Sequence, residues 1–143
     1  MESQILGMRP SLEHTSERLS GIAYKYDPTC YMQLIRMARV KITVLKTLDP
    51  KVMFGDRVPI NPRTGKRWEV CSKLREGQEF IVEETGGGPQ MPSGFCSWAW
   101  NDIFKEVVVL KFGGNITWMD EGKAIACCTD GIRPVSFELE RLR

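Results

Sequence analysis

The clearest pattern in the chain is an alternation of apolar and polar residues over positions 39–48. Val40, Ile42 and Val44 alternate with lysine and threonine. Because successive side chains of a β-strand point to opposite faces of a sheet, this spacing predicts a strand with one buried and one solvated face. Pro50 follows closely and ends the strand, since proline has no N–H for the next hydrogen bond of the ladder.

Three later segments carry a strand pattern, at residues 78–84, 123–128 and 133–140. In the last of them Val135, Phe137 and Leu139 are expected to point into the core, with serine and glutamate between them. Residues 129–132 separate the last two segments and contain Asp-Gly, which predicts a tight hairpin turn. The chain therefore contains about four strands that pair as antiparallel neighbours.

A helix is predicted over residues 98–111, where apolar residues recur at helical spacing. The residues that share this face are Ile103, Phe104, Val107 and Val108. Ser97 precedes them and has the side-chain oxygen that an N-cap uses. The β-branched residues 107–109 are poor helix formers, so a strand over this segment is the alternative.

Residues 1–36 show only a weak apolar stripe, which Asp27 and Pro28 interrupt. We expect this part to be an N-terminal extension of helical character, and a candidate surface for forming a homodimer. Residues 37–143 are expected to form a single core domain. Taken together, the patterns predict an α+β fold: a small antiparallel sheet of about four strands, packed by one main helix, with an N-terminal helical extension.

The charge and length of the chain limit the class of partner. Its 143 residues include 20 basic and 18 acidic residues, for a net charge of +2. This balance disfavours a protein whose partner is nucleic acid or an anionic membrane, since such proteins concentrate positive charge. No apolar run approaches the ~18 residues of a spanning helix, and the N-terminus lacks the pattern of a secretory signal. We therefore expect a cytoplasmic protein that acts on a small-molecule ligand.

Two short stretches concentrate the side chains that do chemistry. Residues 94–103 contain a thiol, two indoles and a carboxylate, and residues 127–133 contain two thiols, a carboxylate and a guanidinium. Cys96 directly precedes the predicted helix, where the helix dipole and the free backbone N–H groups stabilise a thiolate. We expect the two stretches to meet and to form one site.

The residue types in these two stretches predict a role for each candidate residue of the site. The catalytic candidates are Cys96, Cys128, Asp130 and Asp102. The substrate-binding candidates are Trp98, Trp100, Trp118 and Arg133. The thiols would act as acid, base or nucleophile, and a buried carboxylate beside the indoles would have a raised pKa and carry protons near neutral pH. The indoles would form the pocket walls and the guanidinium would hold an anionic group.

The cysteines also suggest a metal centre as an alternative. Four thiolates suit tetrahedral zinc or an iron–sulfur cluster. The residues of this alternative are Cys71, Cys96, Cys127 and Cys128. Their spacing matches no standard zinc pattern, and neighbouring residues of a strand point to opposite faces of its sheet. The odd total of five cysteines, in a reducing compartment, disfavours disulfides.

Residues 50–77 show neither strand nor helix periodicity and are predicted to be irregular, with a turn at residues 61–65. This segment is also the most basic of the chain. Its cations include Arg63, Lys66, Arg67, Lys73 and Arg75. One interpretation is a clamp for a carboxylate or phosphate; the other is an ordinary solvated loop. Trp68 and Cys71 interrupt the run, which favours attachment to the rest of the fold.

Several of these stretches resemble the signatures of a family of small, cysteine-containing, uncharacterised prokaryotic proteins. They are GFCxWAWxDI at residues 94–103 and CCTDGxRPV at residues 127–135, with VKITV at residues 40–44. The resemblance spans about residues 39–141. In that family a cysteine followed by proline stands at the position of Cys71, whereas Ser72 follows it here. The resemblance implies which residues are signature residues and implies no reaction.

Three functions stay open at this point. The first is a small cofactor-free enzyme of the isomerase or lyase type, which acts on a small organic molecule by thiol and carboxylate acid–base chemistry in a Trp-lined pocket. The second is a cysteine-ligated zinc or iron–sulfur protein. The third is a non-catalytic module that binds a small ligand.

Overall fold

The computed structural model describes residues 38–83 and 88–142. Its elements are β1 (Arg39–Thr47), α1 (Pro50–Phe54), a 3₁₀ turn (Gly55–Arg57), β2 (Glu79–Val82), α2 (Ser97–Lys111), β3 (Lys123–Cys127) and β4 (Val135–Leu142). The expected extension over residues 1–36, with the dimer contacts assigned to it, lies outside the described residues.

The four strands form one antiparallel sheet in the order β2-β1-β4-β3. The helix α2 packs against β1, β3 and β4. This arrangement confirms the predicted α+β fold, with a four-stranded antiparallel sheet and one main helix. It also decides the question of residues 107–109, which are helical because they lie in the middle of α2.

The core lies between α2 and one face of the sheet. The strand residues predicted to point inward are buried, namely Val40, Ile42 and Val44 of β1 and Val135, Phe137 and Leu139 of β4. Burying a side chain of this size stabilises a fold by about 1.5–3 kcal/mol. The polar residues between them lie on the other face, where Lys41 pairs with Glu140 (3.0 Å) and Glu79 (3.6 Å).

The connection between β3 and β4 is longer than the tight turn predicted at residues 129–132. It covers residues 128–134, and the N–H of Cys128 donates to the carbonyl of Val135 (3.0 Å) across its base. The tight turn is wrong because β4 begins at Val135, immediately after Pro134. Proline has no N–H to donate to a partner strand, and β4 is a central strand with partners on both sides.

Two details of α2 differ from the sequence prediction. Cys96 is the N-cap residue in place of Ser97, and its side chain makes no capping hydrogen bond. Phe104 is exposed, whereas Ala99 and Leu110 are buried. The buried face is therefore rotated about the helix axis, away from Phe104 and toward Ala99 and Leu110, relative to the predicted stripe. Neither helix of the described residues is long and apolar enough to cross a membrane.

Lys111 lies at the end of the buried face and is 1% exposed. Its ammonium group donates to the backbone carbonyl of Glu83 (2.6 Å), and its own carbonyl accepts from the N–H of Ala38 (3.0 Å). A buried polar group needs such a partner, because leaving it unpaired costs free energy. Lys111 therefore joins the end of α2 to the end of β2.

Candidate functional site

The segment between β1 and β2 reverses direction at the turn predicted at residues 61–65. The carbonyl of Asn61 accepts from the N–H groups of Thr64 (3.2 Å) and Gly65 (2.9 Å), and its side-chain oxygen accepts from the N–H of Arg63 (2.9 Å). Gly65 has a φ of +67°, a conformation that glycine adopts without steric cost. The predicted turn is confirmed.

The arm that returns from this turn carries a tryptophan next to two basic residues. Ile60 and Arg67 form an antiparallel bridge. The N–H of Trp68 donates to the carbonyl of Pro59 (3.1 Å), and the side chain of Arg67 donates to the carbonyl of Asp56. These contacts fix the backbone of the arm, so its side chains are presented from defined positions.

A hollow of about 300 Å³ lies beside this arm, and we call it the Trp68 hollow. The residues that line it are Asn61, Thr64, Lys66, Arg67, Trp68, Glu69, Val70, Ser72 and Arg133. All but Arg133 come from one stretch of chain. Arg133 comes from the β3–β4 loop, and its guanidinium carbon lies 4.5 Å from the centre of the Trp68 ring. A guanidinium at this distance attracts the electron-rich face of an indole.

Asp130 holds Arg133 in this position. One carboxylate oxygen accepts from the N–H groups of Ile132 (3.0 Å) and Arg133 (3.2 Å), and the other accepts from the side-chain Nε of Arg133 (3.2 Å). Burial acts to raise the pKa of Asp130, but these hydrogen bonds and the guanidinium charge outweigh it and lower the pKa. The expectation of a raised pKa is wrong for Asp130, which is ionised at neutral pH.

The β3–β4 loop is in turn attached to the first turn of α2. The carboxylate of Asp102 accepts from the backbone N–H of Thr129 (2.7 Å) and from its hydroxyl (3.0 Å). The same hydroxyl accepts a hydrogen bond from the indole N–H of Trp98 (3.0 Å). Hydrogen bonds to a carboxylate are stronger than those between neutral groups. The two chemically dense stretches of the sequence therefore meet, and their contact fixes the loop that carries Arg133.

Charge is distributed unevenly around this site. Residues 50–75 contain two acidic residues and seven basic ones, namely Lys51, Arg57, Arg63, Lys66, Arg67, Lys73 and Arg75. In the described parts of the chain, none of these seven forms an ion pair. Within residues 38–83 and 88–142, every ion-paired cation lies outside this segment, and the set is Lys41, Lys46, Lys105, Lys123, Arg133 and Arg141. The Trp68 hollow thus opens in a segment whose seven cations have no ion-pair partner among the described residues.

The four cysteines of the described residues occupy different environments. Cys128 is buried in the core, where desolvation raises the pKa of its thiol and keeps it protonated at neutral pH. Cys127 is exposed, and Cys71 and Cys96 are half-buried against the core. Residues 38–83 and 88–142 contain no group of three or more His, Cys, Asp or Glu side chains arranged to hold a metal ion.

Neither Trp100 nor Trp118 lines the Trp68 hollow. Trp100 packs against the core, with its ring centre 6.3 Å from that of Phe95 and 5.6 Å from that of Phe104. Trp118 lies in the loop between α2 and β3 and is 82% exposed. Trp98 does not line it either, so none of the three indoles that were expected to form the pocket walls lines this hollow.

The sequence predictions missed three features of this corner. Trp68 was noted only as an interruption of a basic run, although an indole ring attracts a guanidinium and can hold it next to the other cations. Thr129 was passed over because a threonine after a strand has no distinctive spacing. The contact between Arg133 and Trp68 joins residues 65 positions apart, which no local pattern reveals.

Comparison of the chain with models of known protein families, with curated proteins and with solved structures gave no match. The resemblance to small cysteine-containing prokaryotic proteins stays a prediction. Any assignment of function therefore rests on the geometry and charge of the residues themselves.

Proposed function

We propose that this protein is a binding module for a small organic anion, a carboxylate or a phosphate ester, which occupies the Trp68 hollow. The observation that carries the proposal is the convergence of Lys66 and Arg67 with Arg133, which reaches the same hollow from a distant loop. This function corresponds to the ligand-binding alternative left open by the sequence.

The charge of the hollow favours an anion. Glu69 is the one carboxylate among the residues that line it, against three cations. Arg133 is partly neutralised by Asp130 (3.2 Å), whereas Lys66 and Arg67 have no carboxylate partner among the described residues. Unpaired cations repel one another, and a bound anion removes this repulsion. Charge-assisted hydrogen bonds from such groups to carboxylate or phosphate are roughly twice as strong as neutral ones.

The hollow also offers neutral hydrogen-bond donors and one flat apolar surface. Thr64 and Ser72 contribute hydroxyl groups, and Asn61 contributes a side-chain amide. Trp68 contributes an indole ring, and the guanidinium of Arg133 lies over one face of it at 4.5 Å from the ring centre. A volume of about 300 Å³ is at the lower end of the range of small-molecule sites. The ligand is therefore a small molecule with an anionic group.

The test is titration calorimetry with inorganic phosphate, acetate and benzoate on the wild type and on the double variant K66Q/R67Q. We expect weak binding, with a dissociation constant of about 1 mM or below, that declines as added salt screens the charges. The double variant removes two of the three cations of the hollow, so its affinity should fall by about tenfold or more.

A matched control comes from the same segment. The double variant R57Q/R63Q removes the same number of charges, and neither residue lines the Trp68 hollow. Its affinity should stay within about threefold of the wild type, since charges outside the hollow act only through a screened field. Equal losses in the two double variants, or no binding by the wild type, would contradict the proposal.

The thiol-based isomerase or lyase activity, and the cysteine-bound metal centre, stay predictions. The protonated thiol of Cys128 is a poor nucleophile, and the ionised carboxylate of Asp130 is a poor proton donor. Cys96 at the start of α2 is the remaining thiol candidate of the catalytic hypothesis. Replacing Cys96 by serine should leave anion binding unchanged, because Cys96 does not line the Trp68 hollow.

A further inference from the structure

A second hollow, of about 550 Å³, adjoins the Trp68 hollow, and we call it the Lys73 hollow. The residues that line it are Ser72, Lys73, Arg75, Glu76, Gly77 and Gln78. Ser72 lines both hollows. One continuous stretch of chain therefore presents two basic recesses next to each other, with a serine at their boundary.

The backbone around the Lys73 hollow is fixed to the core. Leu74, between Lys73 and Arg75, is 2% exposed and belongs to the main apolar cluster. The following turn is tied to β1, because the N–H of Gly77 donates to the carbonyl of Val44 (2.8 Å) and the N–H of Val44 donates to the carbonyl of Gln78 (2.9 Å). The two cations are thus held on either side of a buried anchor, which lowers the entropy lost when they bind a ligand.

The one carboxylate that lines this hollow is already engaged elsewhere. Glu76 accepts hydrogen bonds from the N–H of Thr47 (3.1 Å) and forms an ion pair with Lys46 (3.1 Å). Within the described part of the chain, Lys73 and Arg75 have no carboxylate partner. Their positive charge is therefore left uncompensated at the rim of a recess, as is that of Lys66 and Arg67 in the neighbouring one.

From these contacts we infer that the ligand of this protein carries two anionic groups. One group occupies the Trp68 hollow at Lys66 and Arg67, and the second occupies the Lys73 hollow at Lys73 and Arg75. The inference rests on the proposed function and narrows its ligand class to bis-anionic molecules, either phosphorylated or carboxylated. Two linked groups bind more tightly than one, because the second binds at the high effective concentration set by the linker.

The experiment compares short and extended probes of the same chemistry by titration calorimetry at constant ionic strength. Inorganic phosphate and tripolyphosphate form the phosphate arm, and acetate and citrate form the carboxylate arm. For the wild type we expect the extended probe of at least one arm to bind about tenfold more tightly than its short counterpart, or better. The arm with the larger gain identifies the source of the anionic groups.

Two double variants test which residues produce the higher affinity of the extended probe. K73Q/R75Q should lose most of the advantage of the extended probe, because its second anionic group then meets no cation in the Lys73 hollow. R57Q/R63Q, which lowers the charge of the same segment by the same amount, should keep the advantage. Thermal unfolding checks that each variant is folded.

The outcomes separate the two proposals. If neither short nor extended probes bind the wild type, both the anion site and its extension are overturned. If short probes bind and the extended ones gain nothing, the two-group ligand is overturned and the anion site stands. If the gain is lost equally in K73Q/R75Q and R57Q/R63Q, the extended probe responds to diffuse charge, which also overturns the two-group ligand.

Discussion

Two regions of the molecule differ in whether their charged side chains form ion pairs. The first is the sheet with its main helix, and the second is residues 50–75. On the outer face of the sheet, Lys123 lies 3.6 Å from Glu138 and 4.0 Å from Glu140, which also pairs with Lys41. At residues 50–75, seven cations have no such partner among the described residues. The positive excess of this segment exceeds the net charge of +2, so the remainder of the chain is acidic.

The difference separates stability from binding. Paired charges on a strand face contribute little to stability but cost little. Because the two charges of a pair largely cancel, they attract a charged ligand only weakly. Unpaired cations held close together lower local stability through repulsion and attract an anion. The paired charges thus lie in one region of the molecule, and an uncompensated positive surface lies in another.

The largest expected effect is on the free energy of unfolding, when an isoleucine of each region is replaced by alanine. Ile103 in α2 is 0% exposed and Ile60 in the loop is 64% exposed. Ile103→Ala should lower the free energy of unfolding by about 2–5 kcal/mol, because it leaves a cavity in the core. Ile60→Ala should change it by less than about 0.5 kcal/mol. Chemical denaturation measures both, and similar losses would mean that the side chain of Ile60 is buried like that of Ile103.

The second effect concerns the contact that joins the regions. Asp102→Ala removes the acceptor of the Thr129 N–H and hydroxyl, which should cost about 1–3 kcal/mol of unfolding free energy. It should also weaken phosphate binding, because the loop that carries Arg133 is loosened. The control is Asp120→Ala, whose side chain is exposed and accepts no hydrogen bond among the described residues. Unchanged phosphate affinity in Asp102→Ala would show that the loop is held in place without it.

A third expected effect is the pH dependence that Cys128 gives to the stability of the fold. Burial raises the pKa of its thiol in the folded state, so its contribution to stability is present below about pH 8.5, the ordinary value for cysteine. The contribution is lost as the pH rises toward the higher folded value. Cys128→Ala should therefore reduce the loss of stability that denaturation experiments show as the pH rises above about 8.5. Cys127→Ala, which alters an exposed thiol, should leave that loss unchanged.

The smallest expected effect is the difference in melting temperature between a variant that removes a paired cation and one that removes an unpaired cation. Lys123→Gln removes two ion pairs on the sheet and should lower the melting temperature slightly. Arg63→Gln removes an unpaired charge from a basic segment and should leave the melting temperature unchanged or raise it. Added salt should diminish the difference between the two variants. A larger loss in Arg63→Gln would mean that the loop cations stabilise the fold.

The sequence predicted the sheet and the helix well because their signals are local. The period-two alternation of β1 and β4 fixes which side chains are buried, and the helical spacing fixes α2 to within one residue at its start. The burial of Lys111 was not predicted, since its partner is the carbonyl of Glu83, 28 residues earlier in the chain. The length of the β3–β4 loop was misread for a similar reason, because the pairing of β4 with β1 decides where that strand begins.

The candidate site was predicted only in part. The two dense stretches do meet, and the meeting is made by Asp102, Thr129 and Trp98. Their function in the fold is to place Arg133, while the hollow itself is formed by the loop before β2. Composition indicated the basic character of that loop. It did not indicate which cations lack partners, because pairing depends on distances between residues far apart in the chain.

The most direct test of the anion site uses the four tryptophans as reporters. Each indole N–H gives one resonance in a nitrogen–proton NMR spectrum, and four Trp→Phe variants assign them to Trp68, Trp98, Trp100 and Trp118. Titration with phosphate should shift the Trp68 resonance progressively to saturation and leave those of Trp100 and Trp118 in place. A spectrum in which Trp68 does not move, or in which all four resonances drift together without saturation, would contradict an anion site at Trp68.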